Sequence, residues 1–172
     1  FKSEFDAGAI YAMSGGTANH SLIATNLARD CSNALFDDDC RVFESNMMVR
    51  VEEMDKGYYP DLHVVCGDLE HYQDKPHVIL NPVVIFEVIS DSTVGNDKGG
   101  KMWSYRSIPS LKEYILVEQD YPHVDVIRKD DQGTWTLHSF RGMEAILKIE
   151  SLRIEIPFNR IYHKVNFPPA KD

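Results

Sequence analysis

The sequence lacks any long apolar run. None of its hydrophobic stretches approaches the roughly 20 consecutive apolar residues that a helix needs to cross a bilayer. No secretory signal is visible in these 172 residues, which begin at Phe1 rather than at a methionine. With 43% hydrophobic and 26% charged residues among 172 positions, the composition is that of an ordinary soluble globular protein. We therefore expect no contact with a membrane.

Cysteine is scarce. The three cysteines, Cys31, Cys40 and Cys66, are odd in number, and their spacing matches no paired metal-binding motif. They are therefore predicted to be reduced thiols in a cytoplasmic protein. Internal repeats, low-complexity segments and linkers are absent as well. We therefore expect a single domain that covers residues 1–172.

Basic residues are scarce in the first half of the chain. The net charge is −9; residues 1–90 hold six lysines and arginines against fifteen acidic residues, whereas residues 91–172 hold twelve of each. Because non-specific affinity for nucleic acid comes mainly from lysine and arginine, this balance predicts weak general binding to DNA. It weighs against functions that require an approach to phosphates, unless bound metal or a dimer changes the local charge.

One acidic residue lies in the middle of an apolar strand. Residues 82–90 form a β-branched and aromatic run that begins at Pro82 and ends at polar residues. Glu87 lies inside this run, where an unpaired carboxylate costs several kcal/mol. Two interpretations stay open from this stretch alone. Glu87 either forms an ordinary salt bridge or reaches water, or it belongs to a functional site, where buried carboxylates concentrate.

A second acidic residue begins another strand candidate. Residues 60–66 are predicted to form a strand that Asp61 opens and Gly67 ends. If the two strands pair antiparallel through the connection 67–81, one register places Asp61 opposite Glu87, with Cβ atoms about 5 Å apart. Two carboxylates this close repel each other, and a hard divalent cation such as Mg²⁺ or Mn²⁺ relieves the repulsion. The pair is therefore a candidate metal site.

The remaining pattern predicts an α/β fold with a mixed, mainly antiparallel twisted sheet flanked by helices. A hairpin over residues 5–13 precedes a helix that Thr17 or Asn19 caps and that runs to about Leu35. Asp97 is predicted to cap a second helix, which runs to about residue 107 and has Lys101 and Tyr105 on one face. The other predicted elements are strands at 41–51 and 113–117, a hairpin of 123–128 with 134–140, strands within 145–156, and a short helix at 158–161.

The ordered set of motifs resembles a known family. The motifs are Glu4-Phe5-Asp6-Ala7-Gly8, Met13-Ser14-Gly15 with His20, Pro60-Asp61, Glu87-Val88-Ile89-Ser90 with Asp91-Ser92-Thr93, Asp97-Lys98-Gly99 with Lys101 and Tyr105, and Ile108-Pro109-Ser110-Leu111-Lys112-Glu113-Tyr114. Over nearly the whole chain they are similar to the Uma family of bacterial putative restriction endonucleases, within the PD-(D/E)XK nuclease superfamily. The resemblance implies a restriction-endonuclease-like fold and metal-dependent hydrolysis of phosphodiester bonds in DNA.

The resemblance also implies roles for individual residues. By position, Asp61 and Glu87 correspond to the metal-binding acids, and Lys101 replaces the lysine that normally stands two residues after the second acid, where Ile89 is found here. The implied supporting residues are Ser90, Asp97, Tyr105 and, as a third acid, Glu4. The chain departs from the family at Asp6-Ala7-Gly8-Ala9, where Val-Asp-Gly-Glu is usual, at Gly100, where an acidic residue is common, and at Glu118, where an aspartate is usual.

Three hypotheses of function follow. The leading one is a Mg²⁺- or Mn²⁺-dependent endonuclease that acts on DNA. The second is a catalytically silent nuclease-like fold that binds nucleic acid or protein, and the third is a metal-dependent phosphoesterase for small substrates. A two-fold homodimer is expected from the frequency of such dimers among soluble oligomers. His20, at a helix start, is expected to be a hydrogen-bonding surface or dimer residue. His63 shares a face with Asp61 and could bind a metal directly or support a ligand, but it is expected to be a structural histidine whose hydrogen bonds are satisfied.

Overall fold

The structure is a computed structural model that describes residues 3–6, 8–12, 16–90, 95 and 97–169. The strands of this part are β1 (Ser3–Asp6), β2 (Ala9–Ala12), β3 (Cys40–Glu44), β4 (Met48–Val51), β5 (Lys56–Tyr58), β6 (Leu62–Cys66), β7 (Val78–Ile79), β8 (Val84–Ile89), β9 (Glu113–Glu118), β10 (His123–Lys129), β11 (Trp135–Arg141), β12 (Ile146–Ile149) and β13 (Ile154–Pro157). The α-helices are α1 (Ala18–Ala34), α2 (Met102–Tyr105) and α3 (Phe158–Ile161), and a π-helical turn, Asp97–Lys101, leads directly into α2.

The strands form three sheets. The largest has six strands in the order β11-β10-β9-β8-β6-β3, and within it only the β8–β9 pair is parallel among the described strands. A second sheet has the order β2-β1-β5-β4-β7, and β12 pairs with β13 in a third. The predicted α/β fold with a mixed, mainly antiparallel sheet and flanking helices is confirmed.

Strand β8 lies inside the six-stranded sheet, and both of its faces are covered. Val84, Phe86 and Val88 pack in a core with α1, whereas Ile85 and Ile89 pack in a second core with residues of the five-stranded sheet and α2. Because side chains alternate along a strand, Glu87 shares the face of Ile85 and Ile89. The apolar run predicted a strand buried on both faces, and this is confirmed.

Helix α1 begins at a Thr17 cap. The Thr17 side chain accepts a hydrogen bond from the backbone N–H of His20 at 3.1 Å, as an N-cap residue does. The alternative cap, Asn19, instead lies in the first turn of the helix, where its side chain donates to the carbonyl of Asn166. Ile23, Leu27 and Cys31 recur every four residues and are fully buried. No helix in the described part of the chain is long and apolar enough to cross a membrane.

The prediction of one strand over residues 41–51 is wrong. The segment forms β3 in the six-stranded sheet and β4 in the five-stranded sheet, separated by a turn in which the N–H of Met47 donates to the carbonyl of Glu44. The apolar positions Val42, Val49 and Val51 suit one strand or two equally well, so alternation alone could not reveal the change of sheet.

The prediction of three reduced thiols is wrong for two of them. Cys40 and Cys66 lie directly opposite each other on β3 and β6 and form a disulfide. Sequence spacing could not show this pairing, because the two residues become neighbours only through the ladder. Cys31 is a free, buried thiol, and burial raises its pKa to about 12. The expectation of a cytoplasmic location therefore loses the support of the thiols.

A buried aspartate attaches α1 to α3. Asp30 is 5% exposed, and its carboxylate accepts hydrogen bonds from Nε of Arg160 at 3.1 Å and from Nη2 of Arg29 at 3.1 Å. One turn earlier, Asn26 donates to the carbonyls of Ile161 and His163. Burial alone would raise the pKa of Asp30, but the hydrogen bonds from Arg29 and Arg160 hold it below its usual value.

We predict that Asp30→Asn lowers the free energy of unfolding by about 1–3 kcal/mol at pH 7, because it removes charge-assisted hydrogen bonds. The folded-state pKa is depressed, so the stabilisation is present above the unfolded-state pKa of about 4 and is lost as the pH falls through the folded value. Urea unfolding at pH 7 and pH 3 measures both quantities. Asp37→Asn, at an exposed aspartate, is the control. A difference that is as large at pH 3 as at pH 7 would contradict the prediction.

Candidate active site

The candidate site centres on Glu87, which is 4% exposed. Its strand neighbours Ile85 and Ile89 are buried, and its partner on the parallel strand β9 is Leu116, which is buried too. This arrangement excludes the interpretation that the carboxylate reaches bulk water. A buried carboxylate therefore needs compensating groups within the protein or from a ligand.

Two side chains from the following helical segment reach Glu87. The Nζ of Lys101 lies 3.4 Å from Oε1 of Glu87, and the hydroxyl of Tyr105 donates to the same oxygen at 3.4 Å. Both are buried: Lys101 is 7% exposed and Tyr105 is 0% exposed. The ammonium also lies 5.7 Å from the ring centroid of Tyr58 on the five-stranded sheet. The sequence predicted that Lys101 and Tyr105 share one face, and both meet the carboxylate.

The helix that carries Lys101 is not the regular α-helix predicted from Asp97 to about residue 107. Asp97–Lys101 is a π-helical turn that includes Gly99 and Gly100, and the α-helical part that follows it is α2. Two consecutive glycines disfavour an α-helix, which is consistent with an altered first turn. The Ser104 hydroxyl donates to the carbonyl of Gly100 at 2.9 Å and fixes the junction of the two segments. Single π-helical turns are frequent at functional sites.

Asp61 lies immediately before β6. The β6–β8 pairing is antiparallel and matches Leu62 with Phe86, so the next position of the same register places Asp61 opposite Glu87. Its Oδ2 accepts a hydrogen bond from the backbone N–H of Val88 at 2.7 Å, one peptide beyond Glu87. The antiparallel pairing and the register that the sequence analysis proposed for these two strands are confirmed.

A histidine from α1 also holds Asp61. Nε2 of His20 lies 3.1 Å from Oδ2 of Asp61, and the Asp61 side chain is 15% exposed. Sequence reasoning expected His20 to be a surface or dimer residue and did not connect it with Asp61. The helix start is itself fixed, because the Thr17 hydroxyl donates to the Gln119 side chain at 2.7 Å, just after β9. Beside His20 and Asp61 opens a groove of about 310 Å³.

The donor set of Asp61 and Glu87 fits a hard divalent cation. Both offer carboxylate oxygens, and Oδ1 of Asp61 accepts no hydrogen bond within the described residues. Among these residues no group of three or more His, Cys, Asp and Glu side chains is arranged to hold a metal ion. Mg²⁺ in nuclease-type sites is commonly held by one or two carboxylates, with waters and substrate phosphates as the other ligands.

The other predicted site residues are placed as follows. Ser90 comes directly after β8 and is half-buried. Glu4 lies on β1 and Asp97 begins the π-helical turn, but their side chains lie outside what the structure describes, so the supporting roles of both remain predictions. His63 is fully buried and stacks on Phe43, with ring centroids 5.3 Å apart.

His63 is unusual because neither ring nitrogen has a hydrogen-bond partner among the described residues. Burial lowers the pKa of its imidazole to about 4, so the ring is neutral near pH 7. In this position it packs as an aromatic residue, so the expected structural role fits, but the expectation that its ring nitrogens would be satisfied by hydrogen bonds is wrong among the described residues.

Comparison with known proteins gives the family. The model of the Uma2 family, described as "Putative restriction endonuclease", matches residues 1–159. The chain belongs to the Uma2 family. This confirms the resemblance that the motifs indicated, and it covers the segments that contain Asp61, Glu87 and Lys101.

Relatives of this chain occur in Synechocystis sp. (strain ATCC 27184 / PCC 6803 / Kazusa). The uncharacterized protein slr1290 is 30% identical over 166 residues, which cover 96% of this chain and 86% of the relative. The uncharacterized protein sll1609 is 32% identical over 153 residues, which cover 89% of this chain and 86% of the relative. Among solved structures, the crystal structure of a putative nuclease belonging to DUF820 from Anabaena variabilis has a TM-score of 0.76 at 14% identity, covering 93% of this chain and 89% of that one. At this identity the likeness shows the fold.

We predict that Lys101→Met lowers the free energy of unfolding by about 3 kcal/mol in the presence of a chelator, because the buried Glu87 carboxylate then loses the Lys101 ammonium. The double variant Glu87→Gln/Lys101→Met should recover part of this loss, since the uncompensated charge is removed. Urea unfolding of the two single variants and the double variant gives the coupling energy. Lys148→Met, at an exposed lysine on β12, is the matched control and should change stability little. Strict additivity of the two substitutions would contradict the pairing.

Proposed function

We propose that this Uma2 protein is an endonuclease that hydrolyses phosphodiester bonds in DNA with the help of Mg²⁺ or Mn²⁺. The observation that carries the proposal is the juxtaposition of two acids and one amine. Asp61 is opposed to Glu87 at the end of the β6–β8 ladder, and the Lys101 ammonium is buried against Glu87. Membership in a family described as restriction endonucleases supports the same reaction class.

Asp61 and Glu87 are the residues that would hold the cation. When bound, such an ion lowers the pKa of a water ligand and neutralises charge that develops on the phosphate. Asp61 is suited to this role because Val88 and His20 fix its Oδ2, which leaves Oδ1 as the oxygen available to a ligand within the described residues. We infer that His20 is a positioning residue, since it reaches the reaction only through Asp61.

Lys101 would provide a positive charge at the site that comes from the protein rather than from the metal ion. Its ammonium is a donor in a largely buried setting, where hydrogen bonds to a developing negative charge are stronger than in water. Tyr105 and the Tyr58 ring restrict where the ammonium lies. We infer that Lys101 positions the attacking water or stabilises the transition state, and that Tyr105 orients Lys101.

A catalytically silent fold that binds a partner is the second candidate. The observation that favours it is the net charge of −9, together with an ion pair that already compensates Glu87 without any metal. A buried ion pair of this kind can be purely structural. Metal binding and cleavage therefore have to be measured separately.

We predict metal-dependent cleavage of plasmid or single-stranded DNA by the wild-type protein. Asp61→Ala and Lys101→Ala should each lower the rate by about 100-fold or more, because each removes a group that acts on the transition state. Lys148→Ala, at an exposed lysine of β12, should cleave like the wild type. If every variant retained the same residual activity, the cleavage would come from a contaminant and the proposal would be rejected.

We predict that titration with Mn²⁺ produces heat in a calorimeter and that Glu87→Gln abolishes it, since the amide removes one negative charge from the site. The control is Glu155→Gln, at an exposed glutamate on β13, which should bind Mn²⁺ as the wild type does. Absence of heat in the wild type would favour the silent binding module. Binding without cleavage would reject the catalytic assignment while retaining the metal site.

A further inference from the structure

Both tryptophans of the chain lie in one surface row with two cations. The guanidinium of Arg106 lies 5.5 Å from the ring centroid of Trp103 and 5.7 Å from that of Trp135. The Nζ of Lys129 lies 5.4 Å from the Trp135 ring. We call this set, Trp103, Arg106, Trp135 and Lys129, the tryptophan–cation row. It joins α2 to the hairpin of β10 and β11.

The outer end of the row is open to solvent. Trp103 is 64% exposed, whereas Lys101, two positions earlier and on the opposite side of the helical segment, is buried. A single exposed apolar residue is common on protein surfaces. Trp103 differs because its ring is stacked in place by Arg106, so a large flat face is presented at little conformational cost.

The cations of the row are not neutralised by carboxylates. Arg106 and Lys129 form no ion pair with any acidic side chain of the described residues, and Lys129 donates instead to the carbonyl of Pro109 at 2.9 Å. Other arginines are paired with aspartate or glutamate: Arg29, Arg50, Arg128 and Arg160. The nearby Asp130 uses its carboxylate to accept the N–H groups of Gln132 and Thr134 within the hairpin turn. The row therefore presents two cations that no carboxylate of the described residues pairs.

We propose that the tryptophan–cation row is a contact site for single-stranded nucleic acid, with a base stacked on Trp103 and the adjoining phosphates bound by Arg106 and Lys129. Aromatic platforms flanked by cations bind single strands in this way, because an unpaired base exposes its π face, whereas duplex bases are stacked inside. The inference rests on the proposed nuclease function and names its substrate class. Trp103 and Arg106 belong to the same helical segment as Lys101, which is about 10 Å across, so the row lies on the outer side of the segment whose inner side covers Glu87.

The test is a fluorescence titration without divalent metal. Because the chain has only two tryptophans, both in the row, all tryptophan emission reports on this surface. An oligothymidylate of about 12 nucleotides should quench the emission, and an abasic strand of equal length should bind more weakly. Trp103→Ala should weaken binding about 5- to 100-fold by fluorescence anisotropy of a labelled strand. Arg106→Gln should reduce the salt slope of log K by about 0.7.

Phe36→Ala is the matched control, because Phe36 is 85% exposed and lies just after the C-terminal end of α1, outside the row. This variant should bind the strand as the wild type does. Circular dichroism shows whether each variant is folded; a Trp103→Ala protein that fails to fold is replaced by Trp103→Leu. Equal binding by the Trp103 and Phe36 variants, or equal binding of abasic and base-containing strands, would overturn the proposal. Binding without cleavage would reject the nuclease function but keep the row. If Trp103→Ala cleaved single strands as fast as the wild type, the row would be rejected as the contact site and the nuclease function would be kept.

Discussion

A carboxylate placed inside a central strand is the constraint on which this structure depends. Glu87 is surrounded by apolar side chains on β8, and only an opposite charge or hydrogen-bond donors make that position tolerable. The compensating groups come from the connection between β8 and β9. Because these two strands are parallel, the chain between them must cross a face of the sheet, and the crossover brings Lys101 and Tyr105 over Glu87. The parallel pairing of β8 and β9 therefore supplies the groups that make the buried position of Glu87 possible.

The second acid connects this arrangement with the other side of the sheet. Glu87 lies on the face covered by α2 and the five-stranded sheet, whereas His20 belongs to α1, which packs on the opposite face. Asp61 stands immediately before β6, beside the carboxyl end of β8, and bonds to His20 and to the backbone of Val88. The hydrogen bond from Thr17 to Gln119 fixes the start of α1 at the same edge of the sheet. Groups from both layers are thus held around one strand end, which is where open sheets commonly place their ligands.

Much of this could be predicted from the sequence because the signals were local and unambiguous. The run at 82–90 contains a single acid among β-branched residues, so the strand, its burial and the need to compensate Glu87 followed directly. Other features were beyond reach because they depend on distant partners. The disulfide of Cys40 with Cys66 and the contact of His20 with Asp61 exist only once strands and helix are packed. The π-helical turn at Gly99 and Gly100 differs from an α-helix by a single hydrogen-bond offset, which residue periodicity does not resolve.

Net charge was the least informative property of the sequence. A total over the chain does not show which cations are paired with carboxylates inside the fold and which are not. Arg128 is occupied by Glu113 and Glu150, and Arg160 by Asp30, so these cations hold elements together and add little to the external field. Arg106 and Lys129 instead lie against tryptophan rings, an interaction that keeps their charge. Fields at a protein surface fall off within about 8–10 Å at physiological salt, so a ligand at α2 meets mainly the charges close to it, and these include Arg106 and Lys129. A total of −9 therefore restricts long-range attraction to nucleic acid without excluding contact at this one surface.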